Sequence, residues 1–158
     1  METTVWHTDV VTPALLRHAR NTYGGAMRGA LAEAGYDDVP RNGLYVIGGL
    51  ALGAGDVPLG QLVRELRISK QAAGQLVDTL VMRGYLERAM DPEDRRKLNI
   101  TLTERGRAAA AAQAAARERI DAELAARVGT EDVERMRRAL AALVDIGRAQ
   151  DAGPGDHD

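Results

Sequence analysis

The sequence predicts a mostly α fold with a small β component, an α+β chain, and three observations predict it. Between Ser69 and Arg83, Ala73, Leu76, Val77 and Leu80 recur at i, i+3, i+4 and i+7, which gives a helix one apolar stripe. At Leu98 the period switches to two, with Leu98, Ile100 and Leu102 alternating against Lys97, Asn99 and Thr101 as in a half-buried strand. On either side lie long stretches of helical period, one of them rich in alanine, a residue with little side-chain entropy to lose in a helix.

In chain order, residues 1–11 read as an arm. Its Val5, Trp6, Val10 and Val11 are too apolar to leave in water and are expected to pack on the rest of the protein or on a second subunit. Thr12 is placed to cap a long helix and Pro13 suits its first position; the run extends to about Ala34. Gly24-Gly25 in its middle costs roughly 1 kcal/mol per glycine relative to alanine, which suggests a close helix contact or a bend. After a turn-rich break at Gly35–Pro40, Arg41–Leu52 reads as a mostly apolar second helix, and Val57-Pro58 as a short edge strand. Leu59, Leu62, Val63 and Leu66 mark a two-turn helix with Arg64 and Arg67 outside, and Ile68 crosses a turn.

Ser69 then caps the next helix, since its hydroxyl can accept a backbone N–H of the first turn. Its polar face carries Lys70, Gln71, Gly74, Gln75 and Asp78, and Gly84 is placed to end it in a left-handed conformation. Between Tyr85–Met90 and the strand at Leu98 lies Asp91-Pro92-Glu93-Asp94-Arg95-Arg96, a hairpin tip that is charged and exposed. A polar-faced helix followed by a hairpin with arginines at its tip is the layout of a winged helix-turn-helix, with three strands in its wing sheet. Beyond the wing, Thr103 can cap a helix with Glu104 in its first turn, where the dipole favours a carboxylate, and Arg105–Arg127 is alanine-rich. Gly129-Thr130 breaks it. Val133, Met136, Leu140, Leu143 and Val144 stripe a last helix, and 151–158 reads as a disordered tail.

At 158 residues the chain is expected to form a single domain, 1–158. It has no run of 18 apolar residues, and METTVWHTDV lacks the basic and apolar regions of a signal peptide, so a cytoplasmic location is expected. Zero cysteines exclude disulfides and thiol sensing, and His7, His18 and His157 make no metal-ligand spacing, so neither metal nor cofactor is expected. The formal charge of −2 is unevenly spread. Residues 1–60 hold 4 basic and 6 acidic groups, 61–107 hold 10 and 7, and 108–158 hold 7 and 10. Positive excess therefore sits in the proposed reading head alone, where a polyanion would be met.

The run from Ser69 to Gly106 resembles the signature region of the MarR family of bacterial transcriptional regulators. Its wing, Asp91-Pro92-Glu93-Asp94-Arg95-Arg96, followed by an alternating strand and Leu102-Thr103-Glu104-Arg105-Gly106, carries the likeness. The resemblance covers about residues 12–150. It implies a homodimer joined through dimerisation helices at 12–34 and 104–150, with a winged helix-turn-helix lobe at 40–103 on each side. The implied function is a sequence-specific DNA-binding regulator, a repressor, that binds a pseudo-palindromic operator and is released by a small aromatic or anionic effector.

Within that frame, Gln71 and Gln75 lie one turn apart and can bond adenine, while Lys70 can reach guanine or phosphate. Ser69 and the helix N-terminus can hold a phosphate. Arg96 stands where the family carries its tip arginine and is expected in the minor groove. Arg95, Lys97, Arg64 and Arg67 are expected on phosphates, and Asp91 and Asp94 are expected to shape the wing and pin an arginine. For the effector, His18, Tyr23, Met27 and Tyr45 are candidate pocket groups, with plain core packing as the alternative, and Arg17, Arg20 and Arg28 are cations that can hold a carboxylate. Two rival readings carry less. An enzyme lacks any catalytic constellation, and a protein-binding winged helix leaves the charge distribution a coincidence.

Overall fold

The computed structural model describes residues 5–53, 56–58, 64 and 66–153. After a 3-10 turn at Trp6–Asp9 come α1 (Thr12–Glu33), α2 (Gly43–Leu52), β1 (Asp56–Pro58), α3 (Lys70–Met82), β2 (Leu86–Met90), β3 (Leu98–Leu102), α4 (Glu104–Val128) and α5 (Thr130–Asp151). The chain divides into two compact units, Met1–Glu118 and Arg119–Asp158. No described helix is long and apolar enough to cross a membrane.

The first unit holds the core. Leu44, Val46, Ile47 and Leu50 of α2 meet Val77 and Leu80 of α3, Ile100 and Leu102 of β3, and Met27 and Leu31 of α1. Each such side chain contributes roughly 1.5–3 kcal/mol on burial. With no phenylalanine in the chain, alanines of α4 (Ala109, Ala110, Ala116) complete the core, which lets helix backbones approach closely. Three glycines mark those approaches. A Cβ at Gly106 would lie 2.1 Å from the carbonyl oxygen of Tyr85, one at Gly48 would lie 2.6 Å from Gln113 Nε2, and one at Gly24 would lie 3.3 Å from the Tyr45 hydroxyl. Gln113 is buried, and its Nε2 donates to the carbonyl of Leu44 at 2.7 Å, tying α4 to α2.

β3 is the central strand of an antiparallel sheet ordered β1-β3-β2, with Val57 opposite Ile100 and Arg88 opposite Ile100 on the other side. Strict alternation fails at its start: Leu98 is 49% exposed, whereas Asn99 is buried. Leu98 pairs with the exposed Met90 at the far end of the wing, while Asn99 is paired on both sides, with Pro58 and Ala89.

Other expectations shift by a residue or two. Val11, not Thr12, caps α1, using its carbonyl to accept from Ala14 and Leu15; Thr12 and Pro13 are the first two helical residues. The second helix starts at Gly43 instead of Arg41. Residues 1–4 of the expected arm lie outside the described residues; of the others, Val5, Trp6 and Val11 are exposed, at 52%, 60% and 70%. Asp151 is helical, and the rest of the expected tail from 154 lies outside the described residues. So do Leu59, Leu62 and Val63 of the expected two-turn helix, of which Arg64 and Leu66 are helical.

In the second unit, α5 starts behind Gly129, whose φ of 85° suits glycine. Arg135 pairs with Glu131 and Asp132 on its outer face. Its apolar stripe stays in solvent: Met136, Leu140, Leu143 and Val144 are all exposed.

Candidate nucleic-acid interface

The interface is built on α3. Ser69 sits in an extended conformation and its hydroxyl accepts from Ala72 N at 3.1 Å, which satisfies one orphan amide and fixes where the helix begins. Ala73, Val77 and Leu80 are buried, so the period of 3.6 turns Lys70, Gln71 and Gln75 outward, and all three are exposed. At the other end, Gly84 takes φ 81° and its amide and that of Tyr85 bond back to Val81 and Leu80. The turn ahead of α3 contains Arg67 at φ 49°, a left-handed position that costs a non-glycine residue roughly 1 kcal/mol or more.

The wing tip runs from Asp91 to Lys97. Asp91 N donates to the Lys97 carbonyl at 2.9 Å, and Lys97 N to the Asp94 carbonyl at 3.0 Å. Asp91 Oδ1 accepts from Glu93 N at 2.9 Å, and Asp94 Oδ1 from Arg96 N at 3.0 Å. Both carboxylates thus fold the loop through backbone amides; neither holds an arginine side chain, as the sequence had suggested. Short aspartate side chains reach amides two residues on, whereas the arginines extend away. Arg95, Arg96 and Lys97 are left exposed, as are Arg64 and Arg67 ahead of α3.

Two contacts were missed in the sequence. Asp78 on α3 pairs with Arg88 on β2, linking the helix to the wing. Both are partly exposed, so the pair is worth at most about 1 kcal/mol, and its value is positional. At the base of the wing, the buried Tyr85 donates its hydroxyl to Asp38, and Arg105 on α4 donates to both Tyr85 Oη (3.0 Å) and Asp38 Oδ1 (3.2 Å). Arg105 also stacks over the rings of Tyr36 and Tyr85. Burial and the hydrogen bond to Asp38 push the Tyr85 hydroxyl up to about 12, and that same bond holds the Asp38 carboxyl below its usual range. The partners lie 47 and 67 residues apart from Asp38, so no local pattern announces them.

Of the four residues expected to line an effector pocket, Tyr45 lines a cleft of about 540 Å³ between α1 and α2. Met27 is in the core, Tyr23 packs against it, and His18 is exposed to solvent. Arg17, Arg20 and Arg28 line the cleft beside Tyr45. A second cavity, of about 670 Å³, lies between α2, the sheet and α4.

Residues 37–97 match the sequence model of the MarR family. Among curated proteins, none matches the chain in sequence. Solved structures share the fold. FabT of Streptococcus pneumoniae, solved in complex with DNA, is 20% identical at a TM-score of 0.73, over 87% of this chain and 95% of that one. A probable transcriptional regulator from Pseudomonas aeruginosa is 26% identical at 0.62, over 86% and 98%. Wild-type MarR of E. coli is 18% identical at 0.63, over 85% and 97%. The matched segment contains the capped helix and the wing tip whose geometry is described above, and over these residues the chain is similar to the MarR family.

Proposed function

We propose that the chain is a transcriptional repressor that binds a pseudo-palindromic DNA operator as a homodimer in the cytoplasm and is released by a small effector. The observation that carries this reading is the exposed, Ser69-capped end of α3 beside a wing whose tip presents Arg95, Arg96 and Lys97. Gln71 and Gln75 read base edges in the major groove, with Lys70 on guanine or phosphate. Arg96 enters the minor groove, and Ser69, Arg95, Lys97, Arg64 and Arg67 hold the phosphate backbone. The DNA complex of FabT, similar in fold, supports the reading.

The dimer follows from the exposed stripe of α5. Met136, Leu140, Leu143 and Val144 on one helix face need a cover, and a second copy of the same stripe supplies one. The dimer presents two reading heads, so half-sites lie about one helical turn apart. The test is an anisotropy titration on an operator selected from random DNA. Arg96→Ala weakens binding by roughly 1–3 kcal/mol with the melting temperature unchanged. Unchanged affinity removes Arg96 from the site, and a failure to select any sequence favours a protein partner.

A further inference from the structure

The cleft between α1 and α2 gathers the positive charge of the N-terminal part of the chain. Residues 1–60 contain four lysines or arginines in all, Arg17, Arg20, Arg28 and Arg41, and every one of them lines this cleft. No carboxylate lines it. Several other arginines do have carboxylate partners: Arg88 has Asp78, Arg105 has Asp38, Arg127 has Glu123 and Arg135 has Glu131. Among the described residues none of the four cleft arginines has an acidic partner, in a chain whose acidic groups outnumber its lysines and arginines. On α1 the positions 17, 20, 24 and 28 form one stripe, and its one like-charge pair at i,i+3, Arg17 with Arg20, weakens the helix by roughly 0.2–0.5 kcal/mol. At position 24 the stripe has glycine. A Cβ there would press on the Arg28 guanidinium at 3.2 Å and the Tyr45 hydroxyl at 3.3 Å, so the missing side chain leaves room for both. The Arg20 guanidinium carbon lies over the Tyr45 ring, 4.6 Å from its centroid.

We propose that this cleft binds a small molecule carrying a phosphate or diphosphate group. The inference rests on the effector reading above and gives that effector a chemical class. Its charge decides the class. A single carboxylate satisfies one guanidinium through two oxygens, which leaves three cations unanswered. A phosphate brings up to two negative charges and three acceptor oxygens, and a diphosphate matches four guanidiniums, the Tyr45 hydroxyl and the Asn42 amide. The volume of about 540 Å³ suits a small organic phosphate. The cleft also adjoins the reading head. Arg20, Asn42 and Tyr45 line a neighbouring hollow together with Leu66 and Ile68, the residues that lead into α3. Drawing Arg20 and Asn42 onto an anion changes the wall against which the helix-turn-helix turn rests, and so couples occupancy to the pose of α3.

Isothermal titration of the full-length protein without DNA, at constant ionic strength, tests the site apart from the DNA reading. The probes are inorganic pyrophosphate, inorganic phosphate and benzoate, against wild type, Arg20→Ala/Arg28→Ala and the charge-keeping Arg28→Lys. Pyrophosphate binds saturably at one per chain, more tightly than phosphate, and benzoate binds least. The double variant, whose fold is checked by circular dichroism, binds pyrophosphate at least roughly tenfold more weakly, and Arg28→Lys falls between. Benzoate binding as tightly as pyrophosphate, equal binding by the double variant, or no pyrophosphate binding overturns the proposal. A double variant that loses affinity for duplex DNA while the wild type ignores pyrophosphate also overturns it, and makes the cleft a contact to the DNA backbone. Pyrophosphate bound normally by a protein that selects no DNA leaves the site standing and removes the operator reading instead.

Discussion

Replacing Gly106 with alanine adds one methyl group at the tightest approach in the fold. The new Cβ would lie 2.1 Å from the Tyr85 carbonyl oxygen, 3.1 Å from its carbonyl carbon and 3.0 Å from Leu102 Cδ2. Non-bonded heavy atoms rest at about 3.5–4.0 Å, so α4 or the start of β2 must shift by an ångström or more. The main obstacle is backbone and cannot swing aside. That same Tyr85 carbonyl accepts from Thr103 N at 3.1 Å, and the Thr103 hydroxyl in turn accepts from Gly106 N at 3.0 Å, so the shift also strains the cap of α4. Overpacking costs about 1–3 kcal/mol and the weakened hydrogen bond about 1 more, for a loss of about 2–4 kcal/mol. At this length that lowers the melting temperature by roughly 2–4 °C per kcal/mol, hence about 4–16 °C. Differential scanning calorimetry or urea unfolding monitored by circular dichroism reads it directly. A Gly106→Ala protein as stable as wild type would refute the packing of α4 against the base of the wing.

Three further outcomes are expected. Tyr85→Phe removes the hydroxyl shared by Asp38 and Arg105 and costs about 1 kcal/mol at pH 7. The Asp38 part, from a lowered pKa, is present above its usual value of 3.8 and lost as pH falls below it; the Tyr85 part, from a raised pKa, is present below about 10 and lost as pH climbs to about 12. Urea midpoints of the two proteins therefore converge toward both pH extremes, and a constant gap from pH 3 to 7 contradicts the network. Arg67→Asn relieves a left-handed arginine and keeps or slightly raises the melting temperature, while operator affinity falls; unchanged affinity takes Arg67 off the DNA. Leu140→Glu in the exposed stripe of α5 costs a symmetric dimer roughly 3–6 kcal/mol for two lost side chains, so light scattering reports monomers whose helical content is intact. Persistent dimers place the interface elsewhere.

Much of this molecule was legible in the sequence because its signals are local. Ser69 ahead of a 3.6 period and Gly84 behind it set the bounds of α3, and the change to period two marked β3. Val57-Pro58, with almost no length to show a period, was legible through its place beside the wing, and it pairs with Ile100 and Asn99. What failed to show depends on tertiary position. Leu98 and Asn99 exchange their expected burial, Leu98 pairing with the exposed Met90 at the wing's end and Asn99 with strands on both sides, a position in the sheet that alternation does not encode. The helix period gave Tyr45 and Met27 equal claims to a pocket; the packing of the folded chain put one on a cleft and the other in the core. Arg41 joins Arg17, Arg20 and Arg28 only once the break at Gly35–Pro40 folds the two helices together.

The central claim is sequence-specific reading of DNA by α3 and the wing, and selection of bound sequences from a random duplex pool tests it most directly. Wild-type protein is expected to enrich one pseudo-palindrome with half-sites about one helical turn apart, and Gln71→Ala/Gln75→Ala to lose that preference while keeping salt-dependent affinity for any duplex. Enrichment of no sequence by the wild type, or of the same palindrome by the glutamine variant, would contradict it.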